Sequence, residues 1–464
     1  MVFSSAVFLF YFLPLLLAGY YLLPTTRLKN IFLFVASMLF YAWGEGKLLV
    51  LLLSVGFSAW LFSYLIVKTR FKKLFFYLAV ITYVLVLVYY KYLGFFIESF
   101  FGIGPGTLSH LKLVMPIGVS FFIFQALSYV LDVRRKNQLF EKNPAYVVLY
   151  ITMFPQLISG PLVRYHELEP QLRSRSFDFV RFTEGIRRFI IGLAKKVLIA
   201  DILGLLVSQI METGFGFLSP SVAWIGIITF TLQLYYDFAG YTDMAIGVGK
   251  MLGFDLPENF NYPYISRSIT EFWRRWHITL SGWLRDYIFI PLTLNFRRWH
   301  GSGVFISLII TFTLCGMWHS PGWNFIIWGL IHGLFLGMEQ LFLGKYLEKL
   351  KWVSVLYTLF ILVTSFVFVR SPDLNHALNY LKIMFTPSGI NARGPEAFLA
   401  KQYIVIIIIA VVFCVPYKVF KGLKKSWMQY TVNAIKLVFL LVIFILSAMA
   451  LTTVTYNPFL YFKY

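Results

Sequence analysis

Apolar runs recur along nearly the whole chain, several of them followed by a short basic cluster, and no other feature restricts the fold so tightly. In hydrocarbon every backbone N–H and C=O must be bonded within the chain, so a run of about 20 apolar residues has to be a helix. The runs cover residues 7–23, 31–43, 48–67, 74–90, 115–133, 186–210, 222–236, 304–318, 323–343, 352–369, 403–415 and 434–451. Allowing for re-entrant pieces, they predict about eleven membrane spans, hence an all-α polytopic protein. Composition agrees: 59% of residues are apolar and 13% charged, against roughly 25% charged in a soluble domain. A soluble enzyme is thereby excluded. Cys315 and Cys414 lie inside apolar runs, which excludes a disulfide scaffold and a cysteine-rich metal site. No metal is expected.

A net charge of +21 would suggest nucleic acid in a soluble protein, but here the basic residues sit between spans, where they set orientation. No nucleic-acid partner is expected, only the lipid bilayer. The first apolar run precedes the first charge, Arg27, the reverse of a signal peptide, so it reads as a retained span with an outside N-terminus. Basic loops then alternate with weakly charged ones. Residues 102–106 form an outside glycine-rich stretch, 161–200 hold eight basic against four acidic residues, and Arg370, Asp373, His376, Arg393 and Glu396 lie outside. Lys418, Lys421, Lys424 and Lys425 form a cytoplasmic cluster and the C-terminus returns outside. With no internal repeat or long linker, one membrane domain over 1–464 is expected, divided into N-terminal spans 1–133, a core of about 145–343 and C-terminal spans 352–455.

Three places interrupt the spans. FPQLISGP, residues 154–161, holds two prolines and a glycine and reads as a broken or re-entrant element. Residues 237–300 are unusually polar, with Pro257, Pro263, Pro291 and WRRWH, and predict amphipathic and re-entrant pieces at the cytoplasmic face with tryptophans at headgroup level. HSPG, residues 319–322, breaks hydrophobic sequence in its middle.

Ionisable side chains at membrane depth are costly, which makes the few present here functional candidates. His319, between Trp318 and Ser320, reads equally as a general base at the end of a broken helix or as a histidine capping a kink. His277 stands with Arg274, Arg275 and Trp276 in a stretch that suits an interface helix and equally an anionic donor. His332 is flanked by Gly329 and Gly333, so close helix packing explains it as well as catalysis does. Asp237 and Asp243, six residues apart, do not share a helix face; Gly240 permits a break between them, and arginines nearby could pair with both. Cys315, four residues before His319, could relay an acyl group as a thiolate, although a small apolar packing role is the stronger reading. There is no GxSxG, HExxH or GxxxxGK[ST] motif, which argues against serine hydrolase, zinc protease and P-loop readings.

Several stretches resemble the bacterial membrane-bound O-acyltransferase family, and within it the alginate O-acetyltransferase group. They are MVFSSAVFLFYFLP, NIFLFVASMLFYAWGE, MPIGVSFFIFQALSYVLDVRR, FPQLISGPLVRYHELEPQL, the block from YYDFAGYTD to RDYIFIPL, and GMWHSPGWNFIIWGLIHG. They occur in family order up to about Leu334, and the C-terminal third matches only as a pattern of spans. The resemblance implies a helical core perforated by a central tunnel, with His319 as catalytic base and His277 as a second, supporting position. Arg274, Arg275, Trp276, Asp237, Asp243, Trp318, Ser320 and His332 would be donor or tunnel positions. Family members often carry glycine where this chain has Ser320.

The implied reaction moves an acetyl group from a cytoplasmic thioester, acetyl-CoA, toward an exported polysaccharide through an extracytoplasmic partner acetyltransferase, in the inner membrane of a bacterium and with no tightly bound cofactor. Two other readings stay open. One is D-alanyl or acyl transfer from an acyl carrier protein to a cell-wall polymer; the other is a non-enzymatic transporter whose buried His and Asp relay protons.

Overall fold

A computed structural model of the chain describes residues 1–102, 115–386, 401–416, 426–453 and 459–460. Among the described residues every regular element is a helix and none a strand, as an all-α protein requires. Among the described residues, seven helical stretches are long and apolar enough to cross a membrane: Thr26–Lys68, Lys72–Phe101, Pro220–Met251, Arg297–His319, Trp323–Leu347, Lys351–Arg370 and Val432–Thr452. The chain is a multi-pass membrane protein.

The count is below eleven for physical reasons. Runs 31–43 and 48–67 become one stretch, because α1 (Thr26–Glu45) and α2 (Leu49–Lys68) are joined by the single turn Gly46–Leu48. Run 115–133 becomes α3 (Val119–Arg135), 17 residues long and ending in Arg134 and Arg135. Run 186–210 lies in a helical stretch carrying Arg187, Arg188, Lys195, Lys196 and Asp201. The apolar helices Phe8–Leu22 and Ile404–Phe413 are shorter than the ~20 residues a span needs. The glycine-rich stretch beyond Gly102, Arg393, Glu396 and the lysines 418, 421, 424 and 425 lie outside the described residues.

The contacts gather into two compact units, Met1–Phe189 with Thr242–Glu258, and Ile190–Tyr241 with Asn259–Tyr464. In the first, FPQLISGP does break the helix. α4 (Pro144–Thr152) stops at Met153, a one-turn helix covers Phe154–Leu157, and no regular element follows until Tyr165. Some of the polar groups in and around it are met by protein: Phe154 N donates to Ser37 Oγ at 3.1 Å, Gln156 Nε2 to Tyr150 O at 2.6 Å, and Tyr150 Oη to Val163 O at 2.8 Å. This is how irregular backbone is tolerated away from water. Gly118, at φ +77°, closes against it, since a Cβ there would stand 2.8 Å from Leu157 O.

α5 (Phe179–Ala194) leads through a π-helical stretch, Lys195–Ala200, into Asp201–Met211. α6 (Pro220–Met251) then corrects the sequence expectation that regular helix ends near Asp237, and the break that Gly240 permits is not made. Gly240 instead permits close approach, as a Cβ would lie 2.7 Å from Gly192 O. The two aspartates of α6 are tolerated because each carboxylate meets a cation. In the second unit Asp237 Oδ1 is 2.6 Å from Lys196 Nζ, which also reaches Asp201 Oδ1 at 2.7 Å. In the first unit Asp243 Oδ1 is 2.8 Å from Arg188 Nη2, and Glu258 joins the same guanidinium. One aspartate thus pairs with an arginine, as expected, and the other with a lysine.

In the second unit α9 (His300–His319) and α10 (Trp323–Met338) run backbone against backbone. A Cβ at Gly316 would come 2.2 Å from Phe325 O, and one at Gly329 2.2 Å from Phe312 O. The close packing suggested by Gly329 is real, and it fixes the short loop 320–322 with His319 at its edge. α11 (Lys351–Arg370) packs on α10.

Candidate functional site

A cavity of about 30 Å³ opens beside His319 in the second unit, room for about two water-sized groups at roughly 10–15 Å³ each. Its lining comes from five places: Leu234 and Phe238 on α6, Trp276, His319 at the end of α9, Phe325 and Trp328 on α10, and Phe366 and Val369 on α11. His319 is the last residue of α9 because Ser320 is extended (φ −155°, ψ 148°) and Pro321 follows. The imidazole is half-buried and lies between two indoles, with ring centroids 5.0 Å from Trp318 and 5.0 Å from Trp328. An imidazole in so apolar a place can take and return a proton away from bulk water.

The WRRWH stretch is not one amphipathic helix. α7 (Ile269–Arg275) ends, His277 takes a left-handed conformation (φ 43°), and α8 (Ile278–Leu284) begins. Trp273, Trp276 and Trp283 are buried, which corrects the headgroup-level expectation: their rings fill the core of the unit. Arg275 is held by Glu271 Oε1 at 2.8 Å and donates to Asn261 O at 3.1 Å, tying the loop before α7 to its end. Arg274 is exposed.

His277 is fully buried, and Asn259 holds it in place. Asn259 Oδ1 accepts from Thr279 N at 3.2 Å and Thr279 Oγ1 at 2.9 Å and stands 3.1 Å from His277 Nδ1. With Oδ1 the acceptor, Nδ1 carries the proton and the lone pair is on Nε2. Burial pushes this imidazole down to about 3, so it is neutral at physiological pH. Its ring meets Phe238 edge-on at 4.7 Å and Trp318 at 6.2 Å.

His332 has both ring nitrogens engaged. Trp273 Nε1 donates to Nδ1 at 3.2 Å, so the proton is on Nε2, which faces Ser365 Oγ at 3.2 Å. Of the residues singled out from sequence, His319 and Trp276 line the cavity; His277, Trp318, Ser320, His332, Asp237, Asp243, Arg274 and Arg275 do not. Sequence reasoning missed Leu234, Phe238, Phe325, Trp328, Phe366 and Val369, which look like ordinary span residues. A tryptophan inside a span rather than at its end, as Trp328 is, was the one usable signal. It also missed Lys196, whose ammonium lies between the carboxylates of Asp237 and Asp201.

A fold of membrane-crossing helices with a half-buried histidine at the edge of a small apolar cavity defines a multi-pass membrane protein with an enclosed imidazole. The family model of the membrane-bound O-acyltransferases matches residues 22–346, and the chain belongs to that family. It is accordingly an O-acyltransferase. Among curated relatives, it is 38% identical over 94% of its length to a protein of Azotobacter vinelandii named "Probable alginate O-acetylase AlgI", 88% of which is covered. It is 34% identical to the peptidoglycan O-acetyltransferase of Helicobacter pylori, over 84% of this chain and 81% of that protein. The teichoic acid D-alanyltransferase of Bacillus subtilis is 30% identical over 56% of this chain and 67% of its own length.

Proposed function

We propose that the chain is an inner-membrane O-acetyltransferase that takes an acetyl group from cytoplasmic acetyl-CoA and passes it toward an exported polysaccharide, through an extracytoplasmic partner. The observation that carries the reading is the apolar cavity of about 30 Å³ with His319 on its wall. Such a space suits a carbonyl and a methyl group better than a long acyl chain. The alginate-type relative, aligned over 94% of this chain, supports a polysaccharide acceptor. Both termini lie outside on this reading, which leaves the basic loops to the cytoplasm.

His319 acts as general base. It accepts the proton of the attacking hydroxyl as oxygen bonds to the thioester carbon, and returns it to the sulfur when the C–S bond breaks. A thioester is already activated, so alignment, removal of one proton and exclusion of water make up most of the task. His277 is a positioning residue: locked by Asn259, it holds Phe238, which lines the cavity.

A second reading, D-alanyl or acyl transfer from an acyl carrier protein, is favoured by the match to the teichoic acid enzyme. Purified protein in proteoliposomes, offered radiolabelled acetyl-CoA or acyl carrier protein charged with acetyl or D-alanyl, separates the two. Release of coenzyme A supports the first reading; discharge of the carrier alone would overturn it in favour of the second.

A further inference from the structure

Asn324, in the first turn of α10, is buried, and its one amide joins two helices. Its Nδ2 donates to Phe368 O at 3.0 Å and to Ser371 O at 2.9 Å, both at the end of α11. Phe368 O is open to this bond because residue 372 is a proline, which has no N–H to return to the carbonyl four positions back. The two acceptors flank Val369, and the residue after Asn324 is Phe325; both Val369 and Phe325 line the His319 cavity. One buried amide thus fastens two parts of the cavity wall to each other. Gly322 leaves room for it, since a Cβ there would stand 2.5 Å from Asn324 Oδ1. The cavity so bounded is small: about 30 Å³, space for two water-sized groups at roughly 10–15 Å³ each. A carbonyl and a methyl fill it, and a third carbon fits only if the wall retreats.

We propose that Asn324 is a positioning residue that sets the acyl-length limit of the His319 cavity, by holding Val369 at the end of α11 against the start of α10. This deepens the acyl-transfer reading and rests on it. Asn324 touches no reactant; it acts through Val369, whose side chain bounds the space left for the acyl group. One methylene too many in a fitted apolar pocket costs roughly 10–200-fold in kcat/KM, so wild type uses acetyl and discriminates against propionyl. Two changes relax that limit by different routes. Val369→Ala removes wall atoms directly, and Asn324→Ala removes the bonds that keep the wall in place.

The test measures kcat/KM for acetyl-CoA and for propionyl-CoA with wild type, Val369→Ala and Asn324→Ala in proteoliposomes, thermal unfolding confirming that each is folded. Wild type is expected to favour acetyl by about tenfold or more, and both variants to narrow that ratio by about threefold to tenfold. The ratio is the readout because a merely structural role lowers both donors alike and leaves it unmoved. An unmoved ratio in folded Asn324→Ala would overturn the role of Asn324, and an unmoved ratio in Val369→Ala would overturn the limit itself. Should Asn324→Ala fail to fold, Asn324→Ser, whose short hydroxyl cannot span both carbonyls, is read in the same way. A wild type that turns over neither acyl-CoA nor a charged carrier protein would sink the acyl-transfer reading and this inference with it. A wild type that uses propionyl-CoA as readily as acetyl-CoA would sink this inference alone.

Discussion

Two Trp–His pairs stand at two breaks between helices of the second unit, and the structure uses them in opposite ways. At Trp276–His277 the tryptophan lines the cavity, while the histidine is fully buried, left-handed and bonded to Asn259. At Trp318–His319 the histidine lines the cavity, and the tryptophan instead meets the ring of His277. The same dipeptide therefore supplies a lock in one place and part of a cavity wall in the other. What decides is what surrounds each break: Asn259 ties His277 and Thr279 together at the first, whereas Pro321 and the close α9–α10 packing leave the second beside an open volume.

Among substitutions that leave His319 in place, a large effect should come from filling that volume. Val369→Phe adds bulk to a cavity of about 30 Å³ and is expected to cut donor turnover by about 100-fold or more while His319 is intact, since misplaced reactants lose alignment steeply. Turnover near wild type would show that chemistry happens elsewhere. Next comes the lock. Asn259→Ala strips Oδ1 from two Thr279 donors and from His277, which should lower unfolding stability by about 1–3 kcal/mol for each buried group left unsatisfied. Thermal unfolding in detergent, beside residual turnover of the folded fraction, would show whether the lock acts through stability.

A smaller effect follows from titration. Burial sets the folded His277 near 3, below the ordinary 6.5, so its contribution to stability is present above about pH 6.5 and declines as pH falls toward 3. His277→Asn, which tolerates the left-handed backbone, should flatten part of that decline between pH 7 and 5 in thermal unfolding; an identical pH profile would break the assignment. The smallest effect is expected at Ser320, which does not line the cavity. Ser320→Ala should leave turnover within about twofold, as substitutions away from a site's machinery usually do, and a large loss would draw that hydroxyl into the mechanism.

Much of the architecture was legible in local sequence because lipid imposes it: apolar runs had to be helices, and Pro155, Pro161 and Pro321 had to interrupt them. His319 at a break was legible for the same reason. The continuity of α6 past Asp237 was not, because the lysine that neutralises this carboxylate comes from a distant π-helical turn and only the fold brings Lys196 there. The cavity wall was equally hidden. Leu234, Phe366 and Val369 are apolar residues in apolar spans, and nothing local separates them from lipid-facing neighbours. The setting of His277 was half visible: its rarity drew attention, but the Asn259 bond that holds it spans 18 positions of chain that include α7.

The most direct test of the central claim sets His319→Ala beside wild type in proteoliposomes supplied with radiolabelled acetyl-CoA, with thermal unfolding confirming that both are folded. The account predicts that coenzyme A release falls by about 10²–10⁴-fold in His319→Ala with stability little changed; release at the wild-type rate from folded His319→Ala would contradict it.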